Sequence, residues 1–394
     1  GAVDLSQGWW AQFRGPYATG VTTQKPVEPG WDVPGGKGLL WKAPIPLPGR
    51  SSPVVWDDAI FLTGADEKTR EVYCFDAASG ALRWRQPVTG EKGGGAPEVS
   101  ADTGYAASTP VTDGQRVYAI FATGDVGCFD MDGQSIWSKS LGVPDNTYGH
   151  ATSLLAHKGM LLVQFDQESE EAPRSKLLAF DAATGRTAWE ADRDVPTSWT
   201  TPMIVSADGR EEIITCANPW VIAYDPADGR ELWRAECLSG EMAPSPTVAA
   251  GMIVVAMDGA SCTAIRPGGS GDVTDTRIAW SFAGMLPDIC SPVGTDEFVF
   301  LLSTYGYLTC LNTQTGEMLW EQQLEGSFKA SPVVAGDRLY LLGDDGKMLV
   351  LRPGSSFELL GEGTVGEGCE ATPAFAPERM FIRGVKHLFC VGDK

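Results

Sequence analysis

The sequence predicts an all-β fold, an eight-bladed β-propeller of four-stranded antiparallel blades, and three observations predict it. A segment ending in tryptophan recurs along the chain; a Ser/Thr-Pro pair recurs between its copies; and the composition suits many short strands joined by tight turns. Of 394 residues, 47 are Gly and 26 are Pro, which punctuates short strands rather than long helices. There are 13 Trp but only three His, so a site built from several histidines is excluded.

The recurring segment reads VYCFDAASGALRW to Trp84, LLAFDAATGRTAW to Trp189, VIAYDPADGRELW to Trp233 and LTCLNTQTGEMLW to Trp320. A degenerate copy, VGCFDMDGQSIW, ends at Trp137, and CTAIRPGGSGDVTDTRIAW reaches Trp280 through an inserted turn. LLW at Trp41 is the tail of the unit without its front half, and MLVLRPGSSFELL near Leu360 has lost its Trp. Successive tryptophans lie 43, 53, 52, 44, 47 and 40 residues apart, the period of one propeller blade. Between copies stand Ser52-Pro53, Thr109-Pro110, Thr201-Pro202, Ser245-Pro246, Ser291-Pro292, Ser331-Pro332 and Thr372-Pro373, with Thr152-Ser153 in the remaining slot.

Each blade therefore reads as strand A (SPVV), strand B (RLYLLG), strand C (VYCFD) and strand D (ALRWRQPV). Proline suits the start of an inner-edge strand, where its missing N–H costs no ladder bond. The Asp and Gly of DAASG and DAATG suit a tight C–D turn, Asp capping backbone N–H groups and Gly supplying a positive φ. The Trp offers a flat surface to the next blade. The last copy, HLFCVGDK, has no strand D, and the first, LLWKAPI, has no A, B or C. The N-terminal strand is expected to complete the eighth blade and close the ring. Residues 38–394 then form one propeller, with 1–37 an N-terminal extension packed on it.

Thirty Lys+Arg against 51 Asp+Glu give a net charge of −21, which repels phosphate backbones and anionic lipid alike. Nucleic acid is not an expected partner, and no run approaches the roughly 18 apolar residues of a spanning helix. The first residues lack the basic and apolar regions of a signal peptide. The nine cysteines form no C-x-x-C pair; Cys74, Cys128, Cys310 and Cys390 share one repeat position and read as small buried residues on separate blades.

The pattern A-x-D-x-x-T-G-x-x-x-W resembles the repeat of the pyrroloquinoline-quinone (PQQ) type propellers. That family includes the quinoprotein alcohol dehydrogenases and the non-catalytic outer-membrane assembly lipoprotein BamB. The resemblance covers roughly residues 38–394, and the opening WWAQFRGPYATG also resembles uncharacterised exported proteins with PQQ-like repeats. It implies the fold, an extracytoplasmic, periplasmic location, and one of two functions. The first is a non-catalytic scaffold that binds a protein or small ligand, a monomer without cofactor. The alternative is a PQQ- and calcium-dependent oxidoreductase. The vicinal cysteine pair that many of the dehydrogenases place against the quinone is missing here.

In an A–B–C–D blade the D–A and B–C loops share one face. The long segments 89–108, 141–151 and 166–176 gather there, and long loops on a rigid scaffold carry function. Aligned on the strand A hydroxyls, the residues two positions earlier enter the central funnel: Arg50, Ala107, His150, Trp199, Ala243, Ile289, Lys329 and Glu370, with Asp288 one further back. Scaffold positions should look alike from blade to blade, so the heterogeneous Arg50, His150, Trp199, Asp288, Lys329 and Glu370 are the candidate ligand-binding residues; no catalytic or metal-binding set is assigned. The hydroxyls themselves (Ser52, Thr109, Thr152, Thr201, Ser245, Ser291, Ser331, Thr372) read as structural.

Overall fold

Eight separate antiparallel sheets, each of four blade strands, surround one axis in a computed structural model that describes residues 8–90, 99–167 and 175–392. The first blade shows the unit: strand A Val54–Trp56, B Ala59–Ala65, C Arg70–Asp76 and D Leu82–Pro87. Strand B of that blade is buried at every residue, because both its faces meet neighbouring blades, whereas strand D alternates at the rim. Blade 8 comprises Ala374–Ala376, Arg379–Arg383 and His387–Gly392 and is completed by Leu39–Pro44. Trp41 stands opposite Cys390 in that antiparallel pair, so the ring closes with strands from the two ends of the chain.

The repeat residues explain how blades dock. Trp41 donates its indole N–H to Ala77, Trp84 to Met131, Trp137 to Ala182, Trp189 to Pro226 and Trp280 to Thr313, in each case at 2.8–3.1 Å to a carbonyl of the next blade's C–D turn. The carbonyl follows the turn's Asp or Asn, and the turn glycine lies flat under the indole. Gly229, at φ +74°, leaves only 2.4 Å between a would-be Cβ and Trp189. Asp76 closes its own turn by accepting from the N–H groups of Ala78 and Ser79. The residue facing Trp across strands C and D is small: Cys74, Cys128, Ala179, Ala223, Ala264, Cys310 or Cys390. That is why cysteine recurs in register. All nine cysteines are unbridged, and burial pushes the thiols of Cys74, Cys128, Cys310 and Cys390 up to about 12, which leaves them inert at neutral pH.

Two blades depart from the pattern for visible reasons. In blade 5 the C–D turn is replaced by the segment 266–277, whose Gly271–Asp272 adds a fifth, parallel strand to blade 4. Trp233 is thereby sealed in and donates to Glu212 instead of a turn carbonyl. Blade 7 has Gly361 where other blades carry Trp, because blade 8 has no C–D turn for an indole to cover. Trp31 of the N-terminal extension fills the space, its ring 2.0 Å from where a Cβ on Gly363 would be.

That extension runs from the axis to the rim. Trp10 and Ala11 accept from the strand A amides of Val55 and Thr112, and Val21–Thr22 pair in parallel with strand A of blade 7. Val27 accepts from the buried Tyr340 hydroxyl, and residues 30–33 bond to strand D of blade 7 before the chain turns into blade 8. From Trp10 to Val27 the extension lies across the A–B side of the ring; its later residues climb the outer rim of blade 7, where Pro34 packs against Gly366 of a D–A loop.

Candidate functional site

At the inner edge of each blade, strand A brings its first hydroxyl to the axis, and these hydroxyls link the blades. The amide of Ser52 donates to Thr109 Oγ1, Thr109 to Ser153, Ser153 to Thr201, Thr201 to Ser245, Ser245 to Ser291, Ser291 to Ser331 and Ser331 to Thr372, all at 2.9–3.1 Å. In seven blades the residue that follows is proline, which has no N–H to offer, and this amide–hydroxyl chain is the inner seam of the ring. The structural reading of these hydroxyls fits, with one correction: Ser153, not Thr152, occupies the seam in blade 3. Thr152 turns its hydroxyl toward Ser198.

That one-residue slip relocates one candidate. The residue two before Ser153 is Ala151, and Ala151 lines the funnel. His150 instead lies 4% exposed behind the wall, stacked on Phe165 at 5.4 Å, and burial drives its pKa down to about 4. Its ring faces protein, not the funnel. Asp288 is not among the funnel lining either; its carboxylate accepts from the backbone N–H and hydroxyl of Thr304 at 3.0 and 2.7 Å, pinning the D–A loop to a B–C turn.

The remaining four candidates converge on a cup of about 130 Å³. On one wall Glu370 bridges two cations, with Lys329 Nζ at 2.6 Å from one carboxylate oxygen and Arg50 Nε at 2.5 Å from the other. Burial alone raises the Glu370 pKa, but Lys329 and Arg50 outweigh it and hold the carboxyl below its usual value. Asp344 fixes Lys329 from behind, accepting its backbone N–H and the Ser327 hydroxyl. Four blades away stands Trp199, edge-on to Tyr148 at 4.9 Å, its indole N–H buried with no acceptor among the described residues.

The floor was not legible as a site in the sequence. Phe13, from the extension, closes the cup on the A–B side beneath the hydroxyl seam. Next to it the fully buried Arg14 donates to the carbonyls of Pro246, Pro292 and Thr19. With no carboxylate beside it, burial lowers the Arg14 pKa to about 9. Arg14 thus clamps the axial ends of blades 5 and 6 to the extension. Among the described residues, the cup opens toward the D–A and B–C loops. The acidic run Glu168, Glu170 and Glu171, and residues 91–98 of the long loop 89–108, lie outside the described residues.

Fold and site together define a closed eight-bladed propeller of the PQQ-repeat type with a blind polar cup on its axis. The family model of the outer membrane protein assembly factor BamB matches residues 31–192, 173–289 and 272–354, and the chain belongs to that family. It is 26% identical over 260 residues to BamB of Yersinia pestis, a match spanning 63% of this chain and 64% of that protein, under two thirds of its length. BamB from Moraxella catarrhalis superposes with a TM-score of 0.66, covering 90% of this chain and 97% of the other at 14% identity. The quinohemoprotein alcohol dehydrogenase of Comamonas testosteroni superposes at 0.69, covering 98% and 81% at 12% identity, a likeness of fold alone.

Proposed function

We propose that the protein is a non-catalytic binding propeller of an extracytoplasmic compartment, a scaffold that engages a protein partner through the open loop face. Membership in the BamB family supports both parts, since those relatives are named as outer membrane protein assembly factors. The observation that carries the reading is the state of Glu370, the one carboxylate lining the cup among the described residues. A calcium-borne quinone needs several converging oxygens for its metal. Here Glu370 is already held by Lys329 and Arg50, and Asp288 is spent on Thr304 outside the cup. No group of three or more His, Cys, Asp or Glu side chains suited to a metal stands among the described residues. Nor is any helix among them long and apolar enough to cross a membrane.

Five of the eleven exposed large apolar side chains among the described residues agree. Met285, Ile289, Tyr305, Val143 and Val385 all sit on loops of the open face, Tyr305 at 72% exposure. Apolar side chains on this face suit a protein partner. The test is a titration with PQQ in the presence and absence of Ca²⁺, with dye-linked oxidation of alcohols as the second readout. The expected result is no Ca²⁺-dependent binding at tens of micromolar and no turnover. Ca²⁺-dependent saturation accompanied by alcohol oxidation overturns the scaffold reading in favour of the oxidoreductase.

A further inference from the structure

The cup carries an excess of positive charge and a ring of hydroxyl donors, on the axis of a chain whose net charge is −21. Its charged lining is Arg50, Lys329 and Glu370, two cations to one carboxylate. All eight seam hydroxyls line it as well. Seven of them accept a backbone N–H, and none of the eight donates its own proton to any acceptor among the described residues. A hydroxyl is one donor with two acceptor sites, so these protons remain available to a ligand. Trp199 lines the opposite wall. A ligand rich in acceptors takes these protons in place of solvent.

From this imbalance we infer that the cup is a binding site for a carboxylate. The acid group enters from the open loop face and lies against Lys329 and Arg50, sharing them with Glu370. The seam hydroxyls satisfy its remaining lone pairs, and the body of the ligand rests on the Trp199–Tyr148 edge. Phe13 seals the other end, so the ligand has one way in and out. The inference goes beyond a protein-binding scaffold and stands without one, because partner contacts on the loops and acid binding in the cup are read out separately.

Calorimetric titration of the full chain with glucuronate and with benzoate, against glucose and benzamide as neutral counterparts, tests it. The acids should saturate a single site and the neutral compounds should not. Lys329→Gln should weaken acid binding about tenfold, the scale of one charge-assisted hydrogen bond. Glu370→Gln, which removes the competing carboxylate and leaves both cations, should tighten it. Arg50→Gln repeats the first comparison from the other side of Glu370 should the Lys329 variant fold poorly. A peptide with a free C-terminus, run beside its amidated form, tells a polypeptide carboxylate from a free acid; saturation by either source carries the inference. Acids that bind no better than their neutral counterparts overturn it, as does an affinity that Glu370→Gln leaves unchanged.

Discussion

Arg193 and Asp166 form an ion pair in which both side chains are fully buried, with Arg193 Nε 2.8 Å from the carboxylate. Burial works against the Arg193 charge, yet Asp166 and Tyr224 outweigh it and hold the guanidinium above its ordinary value. Thr215 and Tyr224 take the remaining donors, and Gln164 donates to Asp166 at 2.8 Å. Removing one partner strands the other, so Asp166→Leu should cost about 3–5 kcal/mol in urea unfolding. His150 offers a pH test. Its pKa of about 4 lies below the roughly 6.5 of an unfolded histidine, so the unfolded chain binds the proton first as pH falls. Stability should drop between about pH 6.5 and 4, by on the order of 3 kcal/mol, and His150→Phe should lack that component. Asp76 titrates in the same sense, at lower pH. Arg83 and Ser79 hold it at about 2, so its contribution is full above pH 4 and disappears toward pH 2. Wild type and Asp76→Asn should converge in acid thermal scans. At this scale Arg50, Trp199, Lys329 and Glu370 could be placed from sequence because strand A has one axial position. His150 could not, because Thr152 and Ser153 both carry a hydroxyl and only the bond from Thr109 distinguishes them.

Strands and turns were the most legible level. The Asp, Gly and Trp of each copy are the three parts of one joint, with Asp shaping the turn, Gly admitting the indole and Trp bridging to the turn of the next blade. Trp189→Ala should therefore destabilise by about 3–5 kcal/mol. Gly229→Ala, which changes the other half of that joint, forces a Cβ into the ring at positive φ and should also lower the melting temperature. An unchanged thermal scan for either contradicts the joint. The same logic accounts for the missing Trp of blade 7, an irregularity that sequence could register but not explain. Trp31 comes from outside the repeat and carries no periodic signal, and the fifth strand at Gly271–Asp272 is likewise an insertion without a template.

Closure governs the whole molecule. Strand Leu39–Pro44 holds blade 8 and joins the two chain ends, and the extension before it crosses under the ring and seals the axis. The closure was readable from counting strands at the two ends. The seal was not, since WWAQFRGP has neither period nor motif chemistry and acts only through the backbone groups it meets. A propeller closed below and open above has one face for its partners, and the direct test is site-specific photo-cross-linking in the cells that make it. Probes at Tyr305 and Val385 on the open face, Tyr17 on the sealed face and Met318 on an outer strand sample the three exposed surfaces. The expected result is a discrete protein adduct from Tyr305 and Val385 and none from Tyr17 or Met318. Adducts of equal yield from all four, or from the sealed face alone, contradict the open loop face as the binding surface.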